Sequence, residues 1–283
     1  MAQQKRNLTL DIMIKLNFKT ALICLVTPLF ASSLLAQTVS IKEKEEKKLT
    51  RNLRVILVGN RPMPSFEKHG DKYIEVAPNI KLIPPTAFAY TIPAHAPRSA
   101  DNKPRKTEHS AWINELVKIN NYIGPSSLQL SLKRPLVNAK SRGIPTQSDL
   151  AQIINPLVII HPGSKAVNWN NPKSIVLDAS AKKMPERSIT LVNLSKIPLR
   201  LYVSNKGVVV QPNKHITLSI PRSKAEAFRY KVEASNGKKI VPISNSSYRI
   251  SKKSRIIMLA LPGVKSNKSS FALPKIRIIS DSL

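Results

Sequence analysis

Ser180-Ala-Lys-Lys183 matches a known nucleophile arrangement, the S-x-x-K pair of serine acyl enzymes. That chemistry needs the serine at a helix start with S-D-N and K-T-G partners, and neither tripeptide occurs. There is no G-x-S-x-G elbow either. Asp178 with His161 or His215 can be drawn as a triad, but almost any β-rich chain of this length offers such a trio on paper. The five histidines (His69, His95, His109, His161, His215) stand singly, without H-x-H, H-E-x-x-H or an Asp-rich calcium loop. Cys24 is the only cysteine, which excludes a disulfide scaffold and a Cys-ligated zinc or iron–sulfur site within one chain. Eight glycines leave little material for phosphate-cradling loops, and no two carboxylates are spaced for opposed acid and base roles. The reading is therefore of a non-enzymatic protein with no catalytic residues, cofactor or metal.

The basic side chains are what remains. Lys and Arg number 46 against 16 Asp and Glu, a formal charge of +30 on 283 residues, and 42% apolar content is enough for a real core. Residues 151–283 hold 23 basic against five acidic side chains, while 51–150 hold 15 against seven. Lys182, Lys183 and Arg187 precede one strand candidate. Lys238, Lys239, Lys252, Lys253 and Arg255 flank what reads as a hairpin over 239–261. Such groups at strand ends are candidate contacts for a phosphate- or carboxylate-bearing polymer; spread evenly, they would only be solubilising charge.

Partner class depends on compartment. Lys5, Arg6, Lys15 and Lys19 precede the apolar run Ala21–Leu35, which ends at Ala36-Gln37: the order of a secretory signal cleaved after Ala36, with Met13 able to start a more compact version. The run is too short and too interrupted by Thr27, Pro28, Ser32 and Ser33 for a membrane span. Cleavage removes Cys24 with the signal, which suits a bacterial periplasm or cell envelope. Export, 5% aromatic content and a single basic-aromatic run (Phe228-Arg229-Tyr230) argue against nucleic acid. An anionic polysaccharide, the membrane surface or another envelope protein is the expected partner. Trp112 and Trp169 are the only tryptophans available for sugar stacking.

The elements that must position these groups are mostly strands. Residues 37–50 read as a charged arm. Residues 51–150 read as an irregular β region with a Pro-rich loop over 93–110 and one helix over 110–120, where Trp112, Leu116 and Ile119 share a side. From 151 to 283 there are ten short strand candidates with turn residues between them, several of which alternate apolar and polar residues cleanly. Leu199, Leu201 and Val203, for example, oppose Arg200 and Tyr202. The fold class is mainly β: an antiparallel β-sandwich as the C-terminal domain, preceded by a smaller β domain.

Ser188-Ile-Thr-Leu-Val-Asn193-Leu-Ser195, an alternating strand and Val210-Gln-Pro-Asn-Lys214 together resemble the opening of exported bacterial sandwich domains, most of all a group of uncharacterised exported proteins of environmental bacteria. More distantly the unit is similar to periplasmic alginate acetylation accessory proteins. These resemblances imply paired β-sandwiches in the cell envelope, with Asn193 and Ser195 in structural roles. The function expected is a non-enzymatic envelope or surface-assembly component; the alternative is an accessory factor or enzyme in exopolysaccharide modification.

Overall fold

Three runs in the chain are largely apolar without alternation, Leu53–Val58 around Arg54, Pro156–His161, and Ser254–Leu261 around Arg255, and such strands must be covered on both faces. The computed structural model shows what covers them. It describes residues 49–92, 103–135, 143–150, 153–163, 168–204, 206–221, 227–235, 240–263 and 272–283, which belong to one compact unit, Glu45–Leu283. In chain order the strands are β1 (Leu49–Leu57), β2 (Ser65–His69), β3 (Lys72–Val76), β4 (Ala87–Ile92), β5 (Arg105–Ser110), β6 (Leu116–Gly124), β7 (Ser127–Lys133), β8 (Ile144–Asp149), β9 (Pro156–His161), β10 (Lys173–Asp178), β11 (Ser188–Asn193), β12 (Leu199–Val203), β13 (Lys206–Val210), β14 (His215–Ser219), β15 (Ala227–Ser235), β16 (Ile240–Arg249), β17 (Ser254–Leu261) and β18 (Lys275–Ser282).

Four sheets of four strands form two sandwiches. The first pairs β10-β9-β1-β6 with β5-β4-β7-β8, and the second pairs β14-β11-β17-β18 with β13-β12-β15-β16. Setting aside the β2–β3 hairpin, both follow the same path. The first, fourth, seventh and eighth strands of each make one sheet, and the second, third, fifth and sixth make the other. In both, the first strand runs parallel to the seventh, β1 beside β9 and β11 beside β17, while the other pairings are antiparallel. The chain thus builds one eight-stranded topology twice.

The period-2 alternation of side chains decides which core each residue enters. On β1, Leu53, Val55 and Leu57 fill the first sandwich, while Ile56 faces the other way. On β17, Ile256, Met258 and Ala260 fill the second sandwich, and Ile257, Leu259 and Leu261 face away from it. These outward faces meet. Ile56, Val58, Leu157, Ile159 and Leu177 pack with Val192, Leu194, Ile257, Leu259 and Ile279 in a third apolar core, the seam between the sandwiches. At roughly 1.5–3 kcal/mol for each fully buried Leu, Ile or Val, the seam contributes on the scale of either sandwich core.

Several expectations change. The segment 110–120 is not a helix: Trp112–Glu115 is a turn with Asn114 at φ 64°, and β6 follows, with Val117 and Ile119 alternating into the first core. Antiparallel pairing along β1 outweighs the apparent helical stripe. Part of the loop expected over 93–110 is the edge strand β5; residues 93–102 lie outside the described residues. β9 and β10, which the sequence groups with the C-terminal half, join the sheet of β1, β9 pairing with β1 and β10 with β9, so the second sandwich begins at β11. The hairpin expected over 239–261 does not form, because β16 pairs with β15 and β17 with β11 and β18 in different sheets. The signal segment and most of the charged arm also lie outside the described residues.

Because the seam joins the sandwiches, the protein should unfold in one calorimetric transition. Leu259→Ala should lower that single transition by about 2–5 kcal/mol of stability. Two separate transitions, only one of them moved by the substitution, would contradict a shared core.

Candidate functional site

Each of four seam strands carries a charged side chain at one end of the seam: Arg54 on β1, Lys118 on β6, Arg255 on β17 and Asp281 on β18. Arg54 and Lys118 are directly opposed across β1 and β6, a like-charge pair that is unfavourable alone. Arg255 and Asp281 are directly opposed across β17 and β18. Packing the two sheets sets all four together. Asp281 accepts a hydrogen bond from Arg255 Nε at 2.8 Å and lies within ion-pair distance of Arg255 Nη2 at 2.7 Å, Arg54 Nε at 3.2 Å and Lys118 Nζ at 3.3 Å. Arg255 and Asp281 are both 0% exposed. Burial pulls the Arg255 guanidinium below its ordinary pKa, and Asp281 works against that shift. Three cations face Asp281, and the charge of Asp178 also acts on Arg255, so cations still outnumber carboxylates at this end of the seam.

Arg255 has a second task. Its Nη1 donates to the carbonyls of Ala179 at 2.6 Å and Met184 at 2.7 Å, which fixes the turn that displays Lys182 and Lys183. Arg187, at φ 51°, donates its N–H to Ser254 O at 2.8 Å, tying that turn to the one holding Lys252 and Lys253. All four lysines are exposed, and among the described residues none of them forms an ion pair. The structure thus brings Lys182, Lys183, Lys252 and Lys253 to one end of the molecule, with Arg187 half-buried between the two turns. It corrects the expectation for Arg255, which is buried beneath them and holds them in place. Lys238 and Lys239 lie outside the described residues. Asp281, Arg54 and Lys118 are not marked out by the sequence, although Arg54 stands as a charge within the apolar run Leu53–Val58.

The other chemical candidates are dispersed. Asp178 pairs with Pro156 at one end of the β9–β10 ladder and His161 pairs with Lys173 at the other, five residue pairs or roughly 16 Å away. His215 lies opposite Val192 on β11. Ser180 is buried, its carbonyl accepting from Lys183 N and Met184 N in the turn, with Lys183 Nζ in solvent. Among the described residues no three His, Cys, Asp or Glu side chains could share a metal ion. Trp169 is 0% exposed in the first core against Gly59, leaving only Trp112 at the surface. Phe228 and Tyr230 are core residues.

The far end of the seam holds a small recess lined by Val58, Gly59, Asn60, His161, Pro162, Gly163, Leu261 and Pro262. His161 is 7% exposed, and its Nδ1 accepts the Gly163 N–H at 3.2 Å. Burial, helped by the neighbouring Lys173 charge, lowers its pKa to about 4.

No family of known proteins matches the chain, and no curated protein sequence does. Among solved structures the chain is similar to a candidate cell adhesion protein from Bacteroides eggerthii, at 7% identity and a TM-score of 0.20 over 82% of this chain and 95% of that one. That likeness is too slight to carry an argument about function. No relationship to alginate acetylation accessory proteins emerges from these comparisons.

The buried histidine has a signed consequence. Its folded-state pKa lies below the ordinary 6.5, so its contribution to stability is intact above pH 6.5 and is lost as pH falls towards 4, amounting to roughly 3 kcal/mol. The melting temperature of the wild type should therefore fall more steeply than that of His161→Leu between pH 6.5 and 4. Parallel curves would show that His161 does not titrate as its burial requires.

Proposed function

We propose that the protein is an exported, non-enzymatic envelope or surface-assembly component that binds an anionic polymer at the lysine-bearing end of the seam. The observation that carries this reading is the convergence of Lys182, Lys183, Lys252 and Lys253 on two turns tied together through Arg187 N and Ser254 O. Four free ammonium groups above a buried cluster with excess positive charge make a local field that a diffuse net charge would not. Their mobility suits a repeating carboxylate or phosphate better than one shaped small anion, because lysine acts as a hydrated point charge without fixed bidentate geometry. The signal-like N-terminus supports placing such a partner outside the cytoplasm.

Polygalacturonate titrated at low salt is a direct probe. The double change Lys182→Glu and Lys183→Glu, or Lys252→Glu and Lys253→Glu, should weaken binding at least about tenfold and flatten its salt dependence. Lys214→Glu and Arg229→Glu, which reverse two exposed charges elsewhere on the second sandwich, should change it little. Equal losses from both pairs of variants would mean that only total charge matters and would overturn the site.

A further inference from the structure

The β2–β3 hairpin is the part of the first sandwich that has no counterpart in the second. It is inserted between β1 and β4, and nine of its ten strand residues are exposed, the tenth, Val76, being half-buried. Phe66 is 58% exposed, Tyr73 70% and Ile74 53%. A two-stranded ribbon standing in water with apolar side chains on both faces is marginal by itself, and a third strand would satisfy its free edge.

The geometry points to a second copy of this chain as that third strand, joined antiparallel through β3. The two-residue loop Gly70-Asp71, with Gly70 at φ 62°, makes His69 and Lys72 the closing hydrogen-bonded pair. Ile74 then bonds inward to Glu67, and the N–H and C=O groups of Tyr73 and Glu75 face the free edge. Two β3 edges related by a two-fold axis at Ile74 place Tyr73 of each copy opposite Glu75 of the other. The outward main-chain groups pair, and Ile74 packs on Ile74 of the second copy. Lys72 falls opposite Val76, so no like charges are opposed. The same operation on β2 would set Glu67 against Glu67, which disfavours that edge.

Charge selects the same place. The chain carries +30, so two copies repel over most of their surfaces. Residues 60–77 hold three basic side chains (Arg61, Lys68, Lys72) and three acidic ones (Glu67, Asp71, Glu75), a neutral segment where two copies can approach. The resulting contact is isologous, as a two-fold dimer requires.

Cysteine cross-linking tests the register. In a Cys24→Ser background, Ile74→Cys sits on the two-fold axis in a non-hydrogen-bonded pair, where Cα atoms are about 4.5 Å apart and a disulfide can close. Under mild oxidation with diamide it should give mostly covalent dimer, while Glu67→Cys, equally exposed on β2, should give little. Sedimentation velocity on wild type should show mass rising with concentration. Ile74→Lys should stay monomeric with an unchanged melting temperature. A wild type monomeric at all concentrations, or equal cross-linking through both cysteines, would overturn the proposal. Vesicle binding by a strictly monomeric hairpin would also overturn it, in favour of a lipid surface.

Discussion

A fully buried carboxylate, Asp281, decides how the two halves of this molecule meet. It neutralises Arg255 across its own sheet and reaches Arg54 and Lys118 on the facing sheet. Without it, the part-buried Arg54 and the exposed Lys118 would be two like charges directly opposed, and the buried Arg255 would lose its directly paired carboxylate. Removing one partner from such a cluster costs about 3–5 kcal/mol, although the intact cluster need not be more stabilising than apolar packing would be. Its contribution is therefore to specify alignment. The apolar seam would tolerate the two sheets sliding or rotating past each other, because Ile, Leu and Val offer no directional bonds. Four charges at one end fix a single arrangement.

That arrangement sets what the surface displays. The guanidinium that pairs with Asp281 also holds the carbonyls of Ala179 and Met184, so the connection between the sandwiches and the turn bearing Lys182 and Lys183 are fixed by the same side chain. Lys252 and Lys253 lie in the turn just before its strand. Seam specificity and surface charge are thus two outputs of one residue, and the exposed lysines owe their proximity to a group that never touches solvent. The duplicated topology supplies the seam itself. Each copy presents an inner sheet whose outward face is apolar, and two such faces cover each other.

How much of this was legible beforehand follows from sequence separation. Strands with one wet face, such as β12 and β15, declare themselves by alternation. The doubly covered strands β9 and β17 read as strands but do not reveal their second face, since a continuous apolar run carries no phase. Parallel pairing of β1 with β9 is wholly non-local, which is why the boundary between halves was placed before β9 and not after β10. The polar edge strands β5 and β8 were invisible because Thr107, Thr146 and Ser148 stand where aliphatic residues would usually mark an inward face. In β5, His109 takes that part by stacking on Phe88 and Tyr90. The lysine pairs were visible individually, while their meeting depends on Arg187 and Ser254, some 70 residues apart. Arg255 showed its charge but not its burial.

Asp281 couples the two sandwiches through Arg54. A double-mutant cycle of Arg54→Met and Asp281→Asn, followed by denaturant unfolding, measures that coupling with little change of shape. The expected result is a non-additive interaction of about 1–3 kcal/mol, with the double variant more stable than the sum of the single losses implies. Additivity within about 0.5 kcal/mol would contradict it, showing that the apolar seam alone aligns the sheets.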